Sequence, residues 1–237
     1  MTSSRGKRVE SLGIAMLLAL VGGYLDIYSY LARGKVFANT QTGNLVLLGY
    51  SMAQGDGKKI IYYICPLTFF VLGVGLAKVM EYRFKERQCF DWIHLLLMVE
   101  MGILFMVMFI PEGPFNSMAN MMVSFVCGLQ VQGFRKVNGN AYSTVMFTGN
   151  LKNVAEGFTH YLLTKEYEAL EKGKVYLGVV GMFVLGGWLG ALLTKQYAEK
   201  AVGIINSVLA MVFILLYLEK RVLLKNKDNI SEYESEA

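Results

Sequence analysis

Apolar residues along this chain fall into long blocks rather than into the short alternations of a soluble sheet. Five stretches, 11–31, 60–80, 92–110, 176–194 and 201–217, are apolar enough to cross a bilayer, and a sixth, 115–134, is similar in length but more polar. A helix needs about 20 residues for that crossing. Two uncharged, hydrogen-bonding stretches interrupt the blocks, and each carries the tripeptide Thr-Gly-Asn, at Thr42-Gly43-Asn44 and at Thr148-Gly149-Asn150. A polar, helix-breaking segment is costly in lipid unless it is buried in protein or lines a cavity. The pattern predicts six transmembrane helices plus two re-entrant half-helices that face each other inside the protein.

Composition agrees with that reading. Hydrophobic residues make up 54% of 237, charged residues only 17%, and the mean hydropathy is +0.42. The fold class expected is an all-α integral membrane protein, a single polytopic domain over 1–237. The basic start runs into a long first block with no small-x-small cleavage site, so 11–31 reads as an uncleaved span. Three widely spaced cysteines (Cys65, Cys89, Cys127) and two histidines (His94, His160) give neither a disulfide framework nor a metal cluster. No cofactor is expected. The net charge of +5 needs no nucleic-acid partner, because flanking Lys and Arg account for it.

The placement of Lys and Arg also orients the chain. If both Thr-Gly-Asn segments dip in and return on one side, 17 basic residues lie on the cytoplasmic face and 6 (Arg33, Lys35, Lys58, Lys59, Lys195, Lys200) outside. If both segments cross fully, the division falls to 12 against 10, with Lys152 left in the membrane. The positive-inside rule favours the re-entrant arrangement, with both termini cytoplasmic.

The repeat extends beyond the tripeptide. At an offset of 106, Gly22 aligns with Gly128, Asp26 with Gln132, Tyr28 with Phe134, and Thr42 to Leu45 with Thr148 to Leu151. Each half then holds three spans and one re-entrant segment, repeat one over 11–110 and repeat two over 115–221. An odd number of spans makes the halves an inverted 3+3 pair. The acidic end, 222–237, reads as a disordered cytoplasmic tail.

Thr-Gly-Asn followed by an apolar run reads as a break and then a short helix, with Thr or Asn as the N-cap. Two such helix starts, with open N–H groups and positive dipole ends, make an anion- or carbonyl-tolerant spot near the midplane. The alternative is a cap that merely packs two helices. Around this spot the sequence offers Asp26, Asn39, Thr42, Gly43, Asn44, Gln130, Gln132, Arg135, Thr148, Gly149 and Asn150 for solute or ion binding. Asp26 has two readings, a proton- or cation-handling group or a partner of Arg33. Gln130 and Gln132 cannot share one helix face, so one is expected at the cavity and the other between helices. Arg135 is a flanking residue or a bidentate fork for an anion. Glu100, within the third span, pairs with a neighbouring helix or serves proton coupling. Gly186 and Gly190 form a Gly-xxx-Gly step that packs helices and offers one seam for a homodimer.

Gly22-Gly23-Tyr24-Leu25-Asp26 with Tyr30, Val36-Phe37-Ala38-Asn39, Gly128-Leu129-Gln130 and Phe134-Arg135, in order with the two Thr-Gly-Asn blocks, resemble the YoaK-like family of small bacterial transmembrane proteins. The resemblance covers nearly the whole chain. It implies a bacterial inner-membrane protein with about six spans and names no activity or substrate. Phe147 and Lys152 stand in the second motif where the first has Gln41 and Val46, so the two half-sites are not expected to be chemically identical. The function expected is a secondary transporter or permease for a small, uncharged or singly charged solute. A passive channel and a non-transport membrane partner are the alternatives. An enzyme is not expected, since no nucleophile with a base, carboxylate pair or metal cluster occurs at workable spacing.

Overall fold

The computed structural model describes residues 11–84, 92–134, 136–137, 140–141 and 147–235. Among them are eight α-helices: α1 (Leu12–Ala32), α2 (Gln41–Ala53), α3 (Gly57–Phe84), α4 (Trp92–Val107), α5 (Asn116–Gly133), α6 (Phe147–Thr164), α7 (Tyr167–Tyr197) and α8 (Val202–Ser235). A two-residue hairpin, β1 (Lys136–Val137) with β2 (Asn140–Ala141), joins α5 to α6, pairing Lys136 with Ala141 and Val137 with Asn140. A 3-10 turn, Ala198–Ala201, links α7 to α8. The helix α8 continues to Ser235 through the part of the tail expected to be disordered, since extending a helix already nucleated costs little.

Among the described residues three helical stretches are long and apolar enough to cross a membrane: Leu12–Ala32, Gly57–Phe84 and Tyr167–Glu219, the last including the turn between α7 and α8. The helix α4 is apolar but only 16 residues long. Burial separates their positions in the bundle. Within the protein, 67% of the apolar window of α1 is buried, against 17% for α3. So α1 is the central element, and α3 turns Val71, Leu72 and Val79 outward. Water would not tolerate so much apolar surface around a monomer, whereas lipid tails do.

The helices pack in matched pairs. α1 lies along α7 and α5 along α3; α2 rests on α3 and α6 on α7; α4 packs on α5 and α8 on α1; α4 also touches α8. The two principal crossings are built from glycine. A Cβ at Gly23 would collide with the Phe183 carbonyl oxygen and one at Gly186 with that of Leu20. A Cβ at Gly128 would collide with the Phe70 carbonyl oxygen and one at Gly73 with that of Phe125. Small residues here let two backbones touch, which supplies van der Waals contact where the hydrophobic effect between helices is absent.

This geometry revises two expectations. The crossing glycines are Gly23 and Gly128, offset by 105, so Gly22 is not the partner of Gly128 there and Asp26 aligns with Val131 rather than Gln132. One additional residue between the helix and the motif restores the offset of 106 at Thr42 and Thr148. The Gly186 and Gly190 face is also taken: it meets Leu20 and Tyr24 of α1 within the same chain and cannot serve as a dimer seam.

Candidate functional site

The first Thr-Gly-Asn lies inside the first turn of α2, not ahead of it. Thr40 is the N-cap and Gln41 the first helical residue. The polar stretch before it, Val36 to Thr40, is a non-helical limb threaded between α1 and α5. Such a limb carries N–H and C=O groups that no helix ladder satisfies, so side chains must take them.

Asp26, on α1 and 6% exposed, takes most of the load. Its Oδ1 accepts the backbone N–H of Asn39 at 3.0 Å and of Thr40 at 2.9 Å, and its Oδ2 accepts the Thr40 hydroxyl. A carboxylate at a helix N-terminus also meets the positive end of the dipole. Ser29, one turn on, accepts the Ala38 N–H at 3.1 Å. From α5, Ser124 donates to the Ala38 carbonyl at 2.8 Å. Gln41 Nε2 donates to that same carbonyl at 2.7 Å and to Ser124 Oγ at 3.3 Å.

Asn44, the last residue of the motif, closes the cradle. Its Oδ1 accepts the Phe37 N–H at 3.3 Å, while its Nδ2 donates to the Phe37 carbonyl at 2.6 Å and to Gln41 Oε1 at 2.9 Å. The side-chain amide thus stands in for a neighbouring strand. Gly43 makes room for the Phe37 ring, which a Cβ would approach to 3.0 Å. Thr42 points the other way, exposed on the same helix face as Leu45 and Val46.

The second motif is placed alike and held differently. The helix α6 also begins one residue before the motif, at Phe147, and Asn150 is buried and engaged while Thr148 and Gly149 are exposed. Where Gln41 makes hydrogen bonds, Phe147 lies against Phe183 with ring centroids 3.8 Å apart. It packs beside Ala15, Ala19, Tyr176 and Val179.

The remaining candidates divide. Gln130 donates to the Leu18 carbonyl at 3.2 Å and ties α5 to α1. Gln132 donates to Glu81 Oε2 at 3.1 Å, and Glu81 in turn pairs with Lys78 at 2.9 Å, so Gln132 ties α5 to α3. Both glutamines bond between helices. Arg135 lies outside the described residues, as do Asn138, Ser143 and Thr144 of the second limb. Asn39 is buried within the cradle, and its Nδ2 has no acceptor. Glu100 is buried on α4, away from the limb and without a hydrogen-bond partner. Among the described residues no group of His, Cys, Asp or Glu is arranged to hold a metal. An open groove between α6 and α7, lined by Asn153, Glu156, His160, Glu166, Lys172 and Tyr176, contains none of the predicted site residues.

Sequence reasoning set Arg33 among the external flanking charges. It is fully buried. Its Nε donates to Tyr28 Oη at 2.8 Å, and its terminal nitrogens donate to the carbonyls of Val107 at 3.2 Å and Pro111 at 3.3 Å. The guanidinium closes the C-terminal end of α4, where free carbonyls and the negative dipole end favour a cation. It does not pair with Asp26, whose acceptors go to the limb. Its carbonyl anchors two more elements, accepting from Tyr62 of α3 at 2.9 Å and from Asn120 of α5 at 2.8 Å. The signal was an arginine directly abutting an apolar helix and followed by Gly34 and Lys35, both at positive φ.

The comparisons with known proteins agree with this architecture. The family model described as "Protein of unknown function (DUF1275)" matches residues 14–215. The UPF0700 transmembrane protein YoaK of Bacillus subtilis (strain 168) is 26% identical over 157 residues, covering 63% of this chain and 68% of that protein. No solved structure matches. A helical bundle with apolar outer faces, a match across nearly every helix and a transmembrane relative lead to one conclusion: the chain is a membrane protein and belongs to the DUF1275 family of YoaK-like proteins.

Proposed function

We propose that the protein is a secondary transporter or permease of the bacterial inner membrane. It would bind a small solute near the midplane, between the two Thr-Gly-Asn half-helices. The observation that carries this reading is the buried Asp26 carboxylate holding an unwound limb at the start of α2. At 13 residues α2 is about 20 Å long, short of the roughly 30 Å hydrocarbon core. Unwound backbone at a half-helix end is what transporters use to bind solutes and coupling ions. The matched packing of α1 on α7 and α5 on α3 supports an inverted 3+3 repeat, in which one half rocks against the other.

On this reading Asn39 Nδ2, a buried donor without an acceptor, supplies a hydrogen bond to a carbonyl or carboxylate of the solute. Both termini are cytoplasmic, with the turns after α2 and α4 outside. The test is flux into proteoliposomes from a panel of labelled neutral and monovalent solutes. Saturable uptake that is lost in Asp26→Asn and in Asn44→Ala supports a central site. Uptake unaffected by either change, or no uptake of any solute, removes the reading, and non-saturable conductance that persists in Asp26→Asn points to a channel.

A further inference from the structure

Glu100 is the ionisable group that the half-helix site leaves unused. It sits midway along α4 with 0% exposure, and neither carboxyl oxygen has a hydrogen-bond partner. Asp26, also buried, has three donors. An unpaired carboxylate in an apolar seam costs several kcal/mol even after relaxation, so Glu100 in this conformation is a neutral acid. As an acid it still has an O–H with no acceptor.

Its surroundings narrow what it does. Three elements pack against α4, namely α3, α5 and α8. From α5 the titratable group facing it is Cys127, which is buried and lies within electrostatic range of both Glu100 and Asp26. From α8, Asn206 donates Nδ2 to the carbonyl of Met101 at 3.3 Å, next to Glu100, and its Oδ1 is buried and unpartnered. Residues 202–213 of α8 and 66–77 of α3 contain no Asp, Glu, His, Lys or Arg, and the next charges along α3, Lys78 and Glu81, pair with each other at 2.9 Å. The unpartnered buried side-chain oxygens here are the two of Glu100 and the one of Asn206, and among the described residues no group of His, Cys, Asp or Glu is arranged to hold a metal ion.

We infer that Glu100 is a proton-exchanging site in the seam of α4, α5 and α8, and that it couples solute movement to the proton gradient, the coupling resting on the transport reading above. When α4 and α8 part and admit water, the acid O–H bond breaks. Its electron pair stays on the carboxylate, and the proton passes to water. Closing the seam requires the proton back, because the bare carboxylate cannot be buried there.

Infrared spectroscopy of the reconstituted protein at neutral pH tests the site. The expected result is a protonated-carboxyl band that is absent in Glu100→Gln, present in Asp26→Asn, and shifted when wild type is moved into D2O. An unchanged band in Glu100→Gln overturns the site, and so does a Glu100 band that never shifts in D2O, which marks a sealed structural acid. Glu100→Leu serves as the second neutral variant should the glutamine fold poorly. In the flux assay, Glu100→Gln is expected to keep solute exchange at equal concentrations while losing at least about tenfold in gradient-driven uptake. Gradient-driven uptake at the wild-type rate overturns the coupling. Absence of any solute flux in wild type removes the transport reading and leaves the infrared result to decide the site.

Discussion

The starts of α2 and α6 occupy equivalent places in the chain and share Thr-Gly-Asn, but their first helical residues, Gln41 and Phe147, make different contacts. At α2 the preceding limb is fixed by at least eight hydrogen bonds from Asp26, Ser29, Gln41, Asn44, Thr40 and Ser124. At α6 the first helical residue is an aromatic ring laid on Phe183 above small residues of α1. The counterpart of Ser124 at the crossing register is Ala19, so one helix face is polar where its equivalent is apolar. At the first helical position the same backbone plan therefore sets a hydrogen-bonding side chain in one half against a ring-on-ring contact in the other. Hydrogen bonds to a charged group are worth roughly 1.5–3 kcal/mol each, whereas an aromatic pair adds about 0.5–1.5 kcal/mol beyond its burial.

The largest effects test whether the halves share a plan at all. Gly23→Leu and Gly128→Leu each drive a side chain into the facing backbone, and each is expected to cost about 3 kcal/mol or more. Both proteins should lose their monodisperse peak on size exclusion in detergent. Tolerance of either change would show that the two crossings are not equivalent. Asp26→Asn comes next, at about 3 kcal/mol, because the amide keeps one oxygen for the two backbone N–H groups but sets an N–H against the Thr40 hydroxyl and removes the charge that strengthens all three bonds. Phe147→Leu, which keeps most of the burial and removes the ring contact, should cost only about 1 kcal/mol, read as a smaller drop in thermal midpoint than that of Asp26→Asn. Equal losses would end the contrast.

Asn44→Ala is expected to cost about 2 kcal/mol by leaving Phe37 unpaired. Gln41→Phe transplants the aromatic residue of the second half into the first and should cost about 1–2 kcal/mol. A neutral or stabilising outcome would show that Ser124 and the Ala38 carbonyl find other partners. The smallest effect lies in the turns outside the membrane. Asp56 precedes α3 and accepts the Lys59 N–H at 3.1 Å, and this bond first, then the nearby Lys59 side chain, holds its carboxyl below the usual value. A depressed carboxyl contributes stability above the unfolded value near pH 4 and loses it as pH falls further. Acid should thus loosen the α2–α3 turn as the pH falls below about 4, as read by amide exchange. Exchange in that turn that does not change with pH would contradict this.

Much of this was legible in the residues because lipid punishes errors that water forgives. Long apolar blocks, the polar breaks and the recurrence of Thr-Gly-Asn each follow from the cost of exposing backbone in hydrocarbon. The chemical difference between the half-sites was also visible, in Gln41 against Phe147. The direction of each motif residue was not. Asn44 turns inward to Phe37 while Thr42 turns out beside Leu45, because the helix starts one residue earlier than the motif, and nothing in the tripeptide fixes that phase. One glutamine was expected at the cavity and the other between helices, but both tie helices together, since which partner lies on another helix is invisible from one helix's spacing.

The sequence by itself determined a helical membrane protein, the places where its helices must break, and the residues too polar to face lipid. Tertiary structure decided which polar group answers which. It gave Asp26 to the limb rather than to Arg33, Arg33 to the end of α4 rather than to the surface, and Gly186 to α1 rather than to a second chain. Hydropathy is a sum over a segment and survives in one dimension, whereas a hydrogen bond or a glycine contact depends on which two helices cross and at what register.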